Sequence, residues 1–310
     1  MRNLAFEFGV LPKPVVFEAT NWAVEPLPDC QRTIDAWQAT GSDATWVYPP
    51  MVYTIRQRYS RRTKAVVTRR VPHSVRQARV WRVPATHRLM YHGATILRPD
   101  TQKPPIISFI IYLIGMLHGV ELQHADWFVT ERQHKKTGGL FVHLPKSTEA
   151  IIDIAADWFR HASRSVQTCI TSALYIHNHV PAYQWDWEGF AWQYAVFDAA
   201  WFTACASGAI PSYPLRGRWP QHKRFSALSK AFGMRRDQRQ FRKWVRCRND
   251  LIHQVTWGQT IPGHEPRKGV PSYYLPLRSF TTLALLASVG YKGKTVRMPW
   301  DTAGQLGLYP

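Results

Sequence analysis

Two textures of hydrophobic patterning divide this chain. Up to about residue 145, apolar residues come in short Val/Ile/Tyr/Thr runs separated by prolines such as Pro12, Pro26, Pro49, Pro72, Pro84 and Pro104. Runs of that kind between breakers predict strands, here at 15–17, 45–48, 52–55, 65–68, 80–83 and 140–143. One longer apolar run, 106–117, is too short to cross about 30 Å of hydrocarbon as a helix and reads as a buried core element.

After Pro145 the apolar period lengthens to three and four residues, the period of helices. Ile151, Ile154, Ala155, Trp158, Phe159, Ala162 and Val166 predict a helix over 147–178, with Ser147 as its cap and Glu149 in its first turn. Pro181 ends it, and a second helix is expected over 187–207. A Pro/Gly-rich linker at 208–220 precedes a helical pair, 225–232 and 236–254. A loop punctuated by Gly258, Pro262, Gly263, Pro266, Gly269 and Pro271 leads to a last helix, 274–289, stopped by Gly290. The expected fold is α+β in two domains: a basic, β-rich domain over 1–145 of unknown type, then an all-α helical bundle over 146–310.

Composition sharpens this picture. With 310 residues, 45% hydrophobic content and 14 Trp, the chain can bury two cores and is not a disordered tail. Its net charge is +20, and twenty basic residues against ten acidic ones precede Ser147, with the same numbers following. An excess of this size points to a polyanionic partner and salt-dependent binding. Cys30, Cys169, Cys205 and Cys247 lack the spacing of a zinc knuckle or a disulfide framework. The first residues, with Glu7 and Pro12, lack the unbroken apolar core of a secretory signal. A cytoplasmic protein with no membrane partner, no metal and no cofactor is expected.

The charge is unevenly textured. No acidic residue lies between Asp43 and Asp100, while Arg56, Arg58, Arg61, Arg62, Arg69 and Arg70 occur there with Tyr53, Tyr59, Trp81 and Tyr91 among them. Cations interleaved with aromatic faces suit RNA. A second basic run, Arg239, Arg242, Lys243 and Arg246, marks the solvent side of the expected helix 236–254 and would guide RNA along it.

That helix ends in Arg248-Asn249-Asp250-Leu251-Ile252-His253. Arginine can clamp a phosphate and histidine can move a proton near neutral pH, which together suffice in kind for cleaving a phosphodiester. About one Arg-x4-His spacing is expected by chance in a chain this rich in both residues, so context has to discriminate. A second copy, Arg82 to His87, encloses Pro84 in a strand-and-turn region and is rejected. The copy at 248–253 sits on a helical pattern of Phe241, Trp244, Val245, Leu251 and Ile252 without Pro or Gly. Its plainer alternative is a helix-end cation beside a capping histidine.

Arg248, Asn249 and His253 resemble, position by position, the Arg-polar-x3-His signature of the HEPN superfamily of all-helical ribonucleases and nucleic-acid-binding modules. The likeness extends over roughly 147–292, and the order of a β-rich domain before the bundle is similar to ApeA-like ribonucleases of bacterial defence. The resemblance implies a metal-independent endoribonuclease, a toxin or antiviral effector, in which the ribose 2′-hydroxyl attacks the phosphate and leaves a 2′,3′-cyclic end. His253 would transfer the proton, Arg248 would hold the phosphorane charge and Asn249 would orient either. Asp198 would be a further polar member of the cleft. Residues five apart on a helix point about 140° apart, so Asn249 and His253 share a face that Arg248 must reach by its length. Family members dimerise across the motif, so a homodimer is expected. A cognate inhibitor or a larger ribonucleoprotein assembly would be further partners. The alternative is a non-catalytic nucleic-acid-binding protein that uses the bundle for dimerisation or docking.

Other signals carry less. Gly290-Tyr291-Lys292-Gly293-Lys294-Thr295 lacks the glycine spacing of a phosphate loop, and His177 and His179 read as capping or surface histidines.

Overall fold

A computed structural model describes residues 4–39, 46–47, 51–72, 80–82, 84–93, 105–124, 128–129, 133–134, 145–180, 185–211, 219–234, 237–258, 260–262 and 273–291. The expected strand at 140–143 and the Gly293-Lys294-Thr295 segment lie outside them. The chain is mixed α+β and forms two compact units, residues 1–96 with 120–138, and residues 97–119 with 139–310. In place of one boundary near 145, the chain leaves the first unit and returns to it. The excursion is the apolar run, now helix α2 (Pro105–His118), buried on all sides from Ile106 to Leu117. A half-solvated sheet offers only one face, so an element apolar all round belongs among helices.

The first unit holds an antiparallel sheet ordered β2-β3-β8-β1-β9, made of β1 (Leu4–Gly9), β2 (Phe17–Glu18), β3 (Trp22–Pro26), β8 (His87–Tyr91) and β9 (Gln123–His124). Alternate residues Trp22, Val24, Leu89 and Tyr91 are buried, as a half-buried pleat requires. Helix α1 (Cys30–Ala39), which the proline-rich pattern did not foretell, buries Cys30, Ile34 and Trp37. His87 is fully buried, and its Nε2 accepts from the Val15 amide at 3.0 Å. Burial lowers its pKa to about 4, so the imidazole stays neutral. The histidine of the rejected Arg82–His87 copy is therefore strand core.

A second sheet of the same unit, β10-β7-β5-β6, contains β7 (Val80–Arg82), β10 (Phe128–Val129) and a long hairpin of β5 (Met51–Ser60) and β6 (Ala65–Pro72). The hairpin pairs without interruption from Tyr53 opposite Pro72 to Ser60 opposite Ala65. Its turn, Arg61 to Lys64, is tied by the Thr63 amide donating to Ser60 Oγ at 3.2 Å. A short pair joins β4 (Trp46–Val47) to β11 (Gln133–His134).

The second unit adds α3 (Pro145–His161), α4 (Arg164–His179), α5 (Asp186–Ala206), α6 (Gln221–Ala231), α7 (Gln238–Gln254) and α8 (Tyr274–Ser288) to α2. The single helix expected over 147–178 is two. Ser163 is extended (φ −64°, ψ 155°), and Gln167 Nε2 donates to the carbonyls of Phe159 and Ala162, which the break leaves unpaired. Pro145 replaces Ser147 as the start, a position where its missing N–H costs nothing. In this unit no helix of the described residues is long and apolar enough to cross a membrane, nor is any in the other.

His177 is not a surface residue. It is fully buried where α4, α5 and α8 meet, with Nδ1 accepting from Gln193 Nε2 at 3.0 Å. Its Nε2–H donates to Thr282 Oγ1 at 3.1 Å, because that hydroxyl spends its own proton on the Arg278 carbonyl. Burial, then the Arg278 charge, holds His177 well below its ordinary pKa. A hydrogen bond between Gln193 and Thr281 extends this neutral core network.

Candidate active site

The motif helix rests on an aromatic pedestal. Phe197 of α5 and Phe225 of α6 stack with centroids 3.6 Å apart and planes 6° from parallel. Phe241 and Trp244 of α7 lie 5.4 and 5.2 Å from Phe225, and Phe280 of α8 lies 5.4 Å from it. Tyr194 completes the cluster, 5.8 Å from Phe225. Four helices meet in these rings, and offset or edge contacts of this kind add to simple burial. α7 therefore has one face fixed and the opposite face free.

Both ends of α7 are defined by the chain itself. Asp237 is its N-cap and accepts from the Gln240 amide at 2.9 Å. Val255 ends it in the left-handed region (φ 54°, ψ 39°), and the Val255 and Thr256 amides turn back to the Asp250 carbonyl. The stop falls two residues after His253, so the motif occupies the last turn.

At that end the three sequence-predicted residues come together. Arg248 Nη1 donates to Asn249 Oδ1 at 3.2 Å and lies 3.3 Å from His253 Nε2. The 140° offset between Arg248 and His253 is bridged by the length of the arginine, whose guanidinium carbon sits 6.0 Å above the Tyr194 ring. A guanidinium has only donors, so His253 Nε2 is the unprotonated nitrogen and the ring proton is on Nδ1. Asn249 and His253 are exposed, within reach of a ligand from solvent.

Asp198 joins the same neighbourhood. Its Oδ1 accepts from Arg224 Nη1 at 3.2 Å. Burial raises its pKa, while the Arg224 and Arg248 charges pull the other way. The carboxylate thus holds Arg224 of α6 and lies within electrostatic reach of Arg248 of α7. Tyr194, raised chiefly by burial, stays a phenol and donates to Gln221 Oε1 at 3.1 Å. Cys247 is buried beside the motif and pushed up to about 12 by burial and then Asp250, so no thiolate competes as nucleophile there. Among the described residues no group of three or more His, Cys, Asp and Glu gathers into a metal-ligand set, and all four cysteines are free thiols.

Arg239, Arg242, Lys243 and Arg246 are exposed and line a concavity of about 490 Å³ along α7, upstream of the motif. In the other unit, Arg58, Arg61 and Arg62 are exposed at the tip of the β5–β6 hairpin with Tyr59, Lys64, Val66 and Val67. Arg56, Arg69 and Arg70 are placed by register: Arg56 stands opposite Arg69, and Arg70 opposite Ile55. Like charges directly opposite are unfavourable in a sheet unless an anion offsets them.

Tyr194, Gln221, His222 and Arg224 did not stand out in the sequence. They reach the motif only because α6 folds back antiparallel on α7 and both lie on α5. A search of family models, of curated proteins and of solved structures finds no match to this chain.

Proposed function

We propose that this protein is a metal-independent endoribonuclease of the HEPN type. The observation that carries the reading is Arg248 Nη1 between Asn249 Oδ1 and His253 Nε2, at 3.2 and 3.3 Å, on an exposed helix end. An unprotonated imidazole nitrogen is a base in waiting, and the guanidinium beside it is the donor a phosphate would recruit. The ribose 2′-oxygen loses its proton to His253 and attacks the adjacent phosphorus. Arg248 turns from the imidazole to the phosphate oxygens and takes up the charge that develops there. Asn249 holds the guanidinium in place before RNA arrives. The bond from phosphorus to the 5′-oxygen breaks, leaving a 2′,3′-cyclic phosphate.

RNA approaches along the basic face of α7, and the basic hairpin supplies a second holding surface. The exposed apolar residues Ile252, Val255 and Ile261, 55%, 69% and 65% accessible, lie within or shortly after the motif in sequence and suit a second copy of the chain. Dimerisation there would set two motifs across one cleft. Action as a toxin or defence effector follows from the resemblance alone.

The test is incubation of purified protein with mixed cellular RNA in EDTA, wild type beside His253→Ala. Cleavage by the wild type alone, with cyclic-phosphate ends, is expected. Tight binding without cleavage would replace the enzyme with a docking module, which the exposed hairpin already favours as the second reading. A requirement for added Mg²⁺ would rule out the 2′-hydroxyl route.

A further inference from the structure

Attack by a 2′-hydroxyl needs two proton transfers: one from the nucleophile, and one to the departing 5′-oxygen. The motif supplies a single histidine per chain. A second lines a small cavity that reaches Asn249 of the motif. His222, in the first turn of α6, lines a concavity of about 270 Å³ together with Arg242, Val245, Arg246, Asn249 and Asp250 of α7. That volume is near the lower end of small-ligand sites, about 300 Å³.

The α7 residues of this cavity belong to one stripe. Arg242, Arg246, Asn249 and His253 follow spacings of four, three and four, so they lie on one helical face. His253 continues the stripe about 6 Å beyond Asn249, at 1.5 Å of rise per residue. The cavity and the motif are thus one continuous surface, with His253 at one end, His222 on the facing helix and Asn249 between them. Among the described residues the His222 ring makes no hydrogen bond, and only its backbone carbonyl is engaged, by Ser226 Oγ. Its immediate charged neighbours are Arg242, Arg246 and Asp250. The α6 N-terminus opens here too, and the positive end of its dipole favours an anion. Two cations, a helix N-terminus and the His222 imidazole surround the concavity, and His253 follows Asn249 on the same helical face, an arrangement that suits a phosphodiester lying along that face.

We propose that His222 is the second proton-transfer group of this site, the acid that delivers a proton to the 5′-oxygen as its bond to phosphorus breaks. The proposal rests on the ribonuclease reading. His253 Nε2 removes the 2′-hydroxyl proton, the oxygen–phosphorus bond to the 2′-position forms, and the bond to the 5′-oxygen breaks. That oxygen leaves with the proton from His222. Nothing else is consumed. Each chain then carries both proton-transfer groups itself, and a second copy is needed only to build the cleft.

A leaving group that needs no proton separates this role from any other. The full-length protein would be assayed on an RNA oligonucleotide and on the 4-nitrophenyl ester of uridine 3′-phosphate, whose phenolate departs unaided. His222→Ala is expected to slow RNA cleavage by about 10²- to 10⁴-fold, the usual worth of a general acid. The same variant should regain most of the wild-type rate on the activated ester. His253→Ala should be slow on both. Equal losses by His222→Ala on the two substrates, or none on either, would overturn the assignment. Should the alanine variant fail to fold, His222→Gln gives the same comparison. A wild type inert on both substrates would sink the ribonuclease reading itself, and His222 with it.

Discussion

Arg248 does three things that a lysine could not. Its fork donates to Asn249 Oδ1, reaches His253 Nε2 across five residues, and sits 6.0 Å over the Tyr194 ring. Lysine keeps the charge as a strongly hydrated point with no planar face. Arg248→Lys should therefore lower cleavage by about 10²- to 10³-fold, the cost of losing one aligned donor to a developing oxyanion. Stability should fall by about 1 kcal/mol or less, the worth of an exposed cation–π contact. Rates on a defined oligonucleotide, set beside urea midpoints, check both statements. Near-normal cleavage by the lysine variant would make Arg248 one more cation among many. Asp198 bears on the same point, since it anchors Arg224 and draws on Arg248 from a different helix.

The geometry of the motif depends on where α7 ends, so the helix termini matter as much as its face. Asp237 caps the start, and Asp237→Ala should cost about 1 kcal/mol. At the other end Val255, a β-branched residue 69% exposed, is held at φ 54° with little packing in return. Left-handed backbone costs such a residue about 1–2 kcal/mol, so Val255→Asn should raise the urea midpoint while Asp237→Ala lowers it. A destabilising Val255→Asn would show that the valine packs against something that matters. How legible these elements were follows from the same physics. α5, α7 and α8 announced themselves through long apolar periods. The α3–α4 break did not, because Ser163 is neither Gly nor Pro and the unpaired carbonyls are met by Gln167, a residue of no special local preference. β1, β3 and β8 were missed because each is only five or six residues long and its pairing along the full strand is with a partner far along the chain. Of the site, Arg248, Asn249 and His253 were readable as one turn of helix. Tyr194, Gln221, His222 and Arg224 were not, since their place depends on how α5 and α6 pack.

At the scale of the whole chain, whose charge is +20, the described residues present a basic surface in each unit. The face of α7 leads to the motif and, on the proposed reading, serves catalysis. The β5–β6 hairpin is far from self-sufficient as a fold: a two-stranded ribbon is marginal by itself, and this one exposes Arg58, Tyr59, Arg61, Arg62, Lys64, Val66 and Val67. A tip so exposed contributes little to stability, which frees its cations for a ligand. Replacing Arg58, Arg61, Arg62 and Lys64 together with alanine should leave the unfolding midpoint nearly unchanged. If all four neutralise phosphates of single-stranded RNA, the slope of log K against log salt should become shallower by about 3, at roughly 0.7 per contact. The cleavage rate at saturating RNA should stay as it was if, as proposed, the hairpin serves only to hold substrate. An unchanged salt slope would free the hairpin from RNA and give its charge another partner. A lost rate at saturation would instead tie it to the chemistry, and the division of labour between the two units would have to be redrawn.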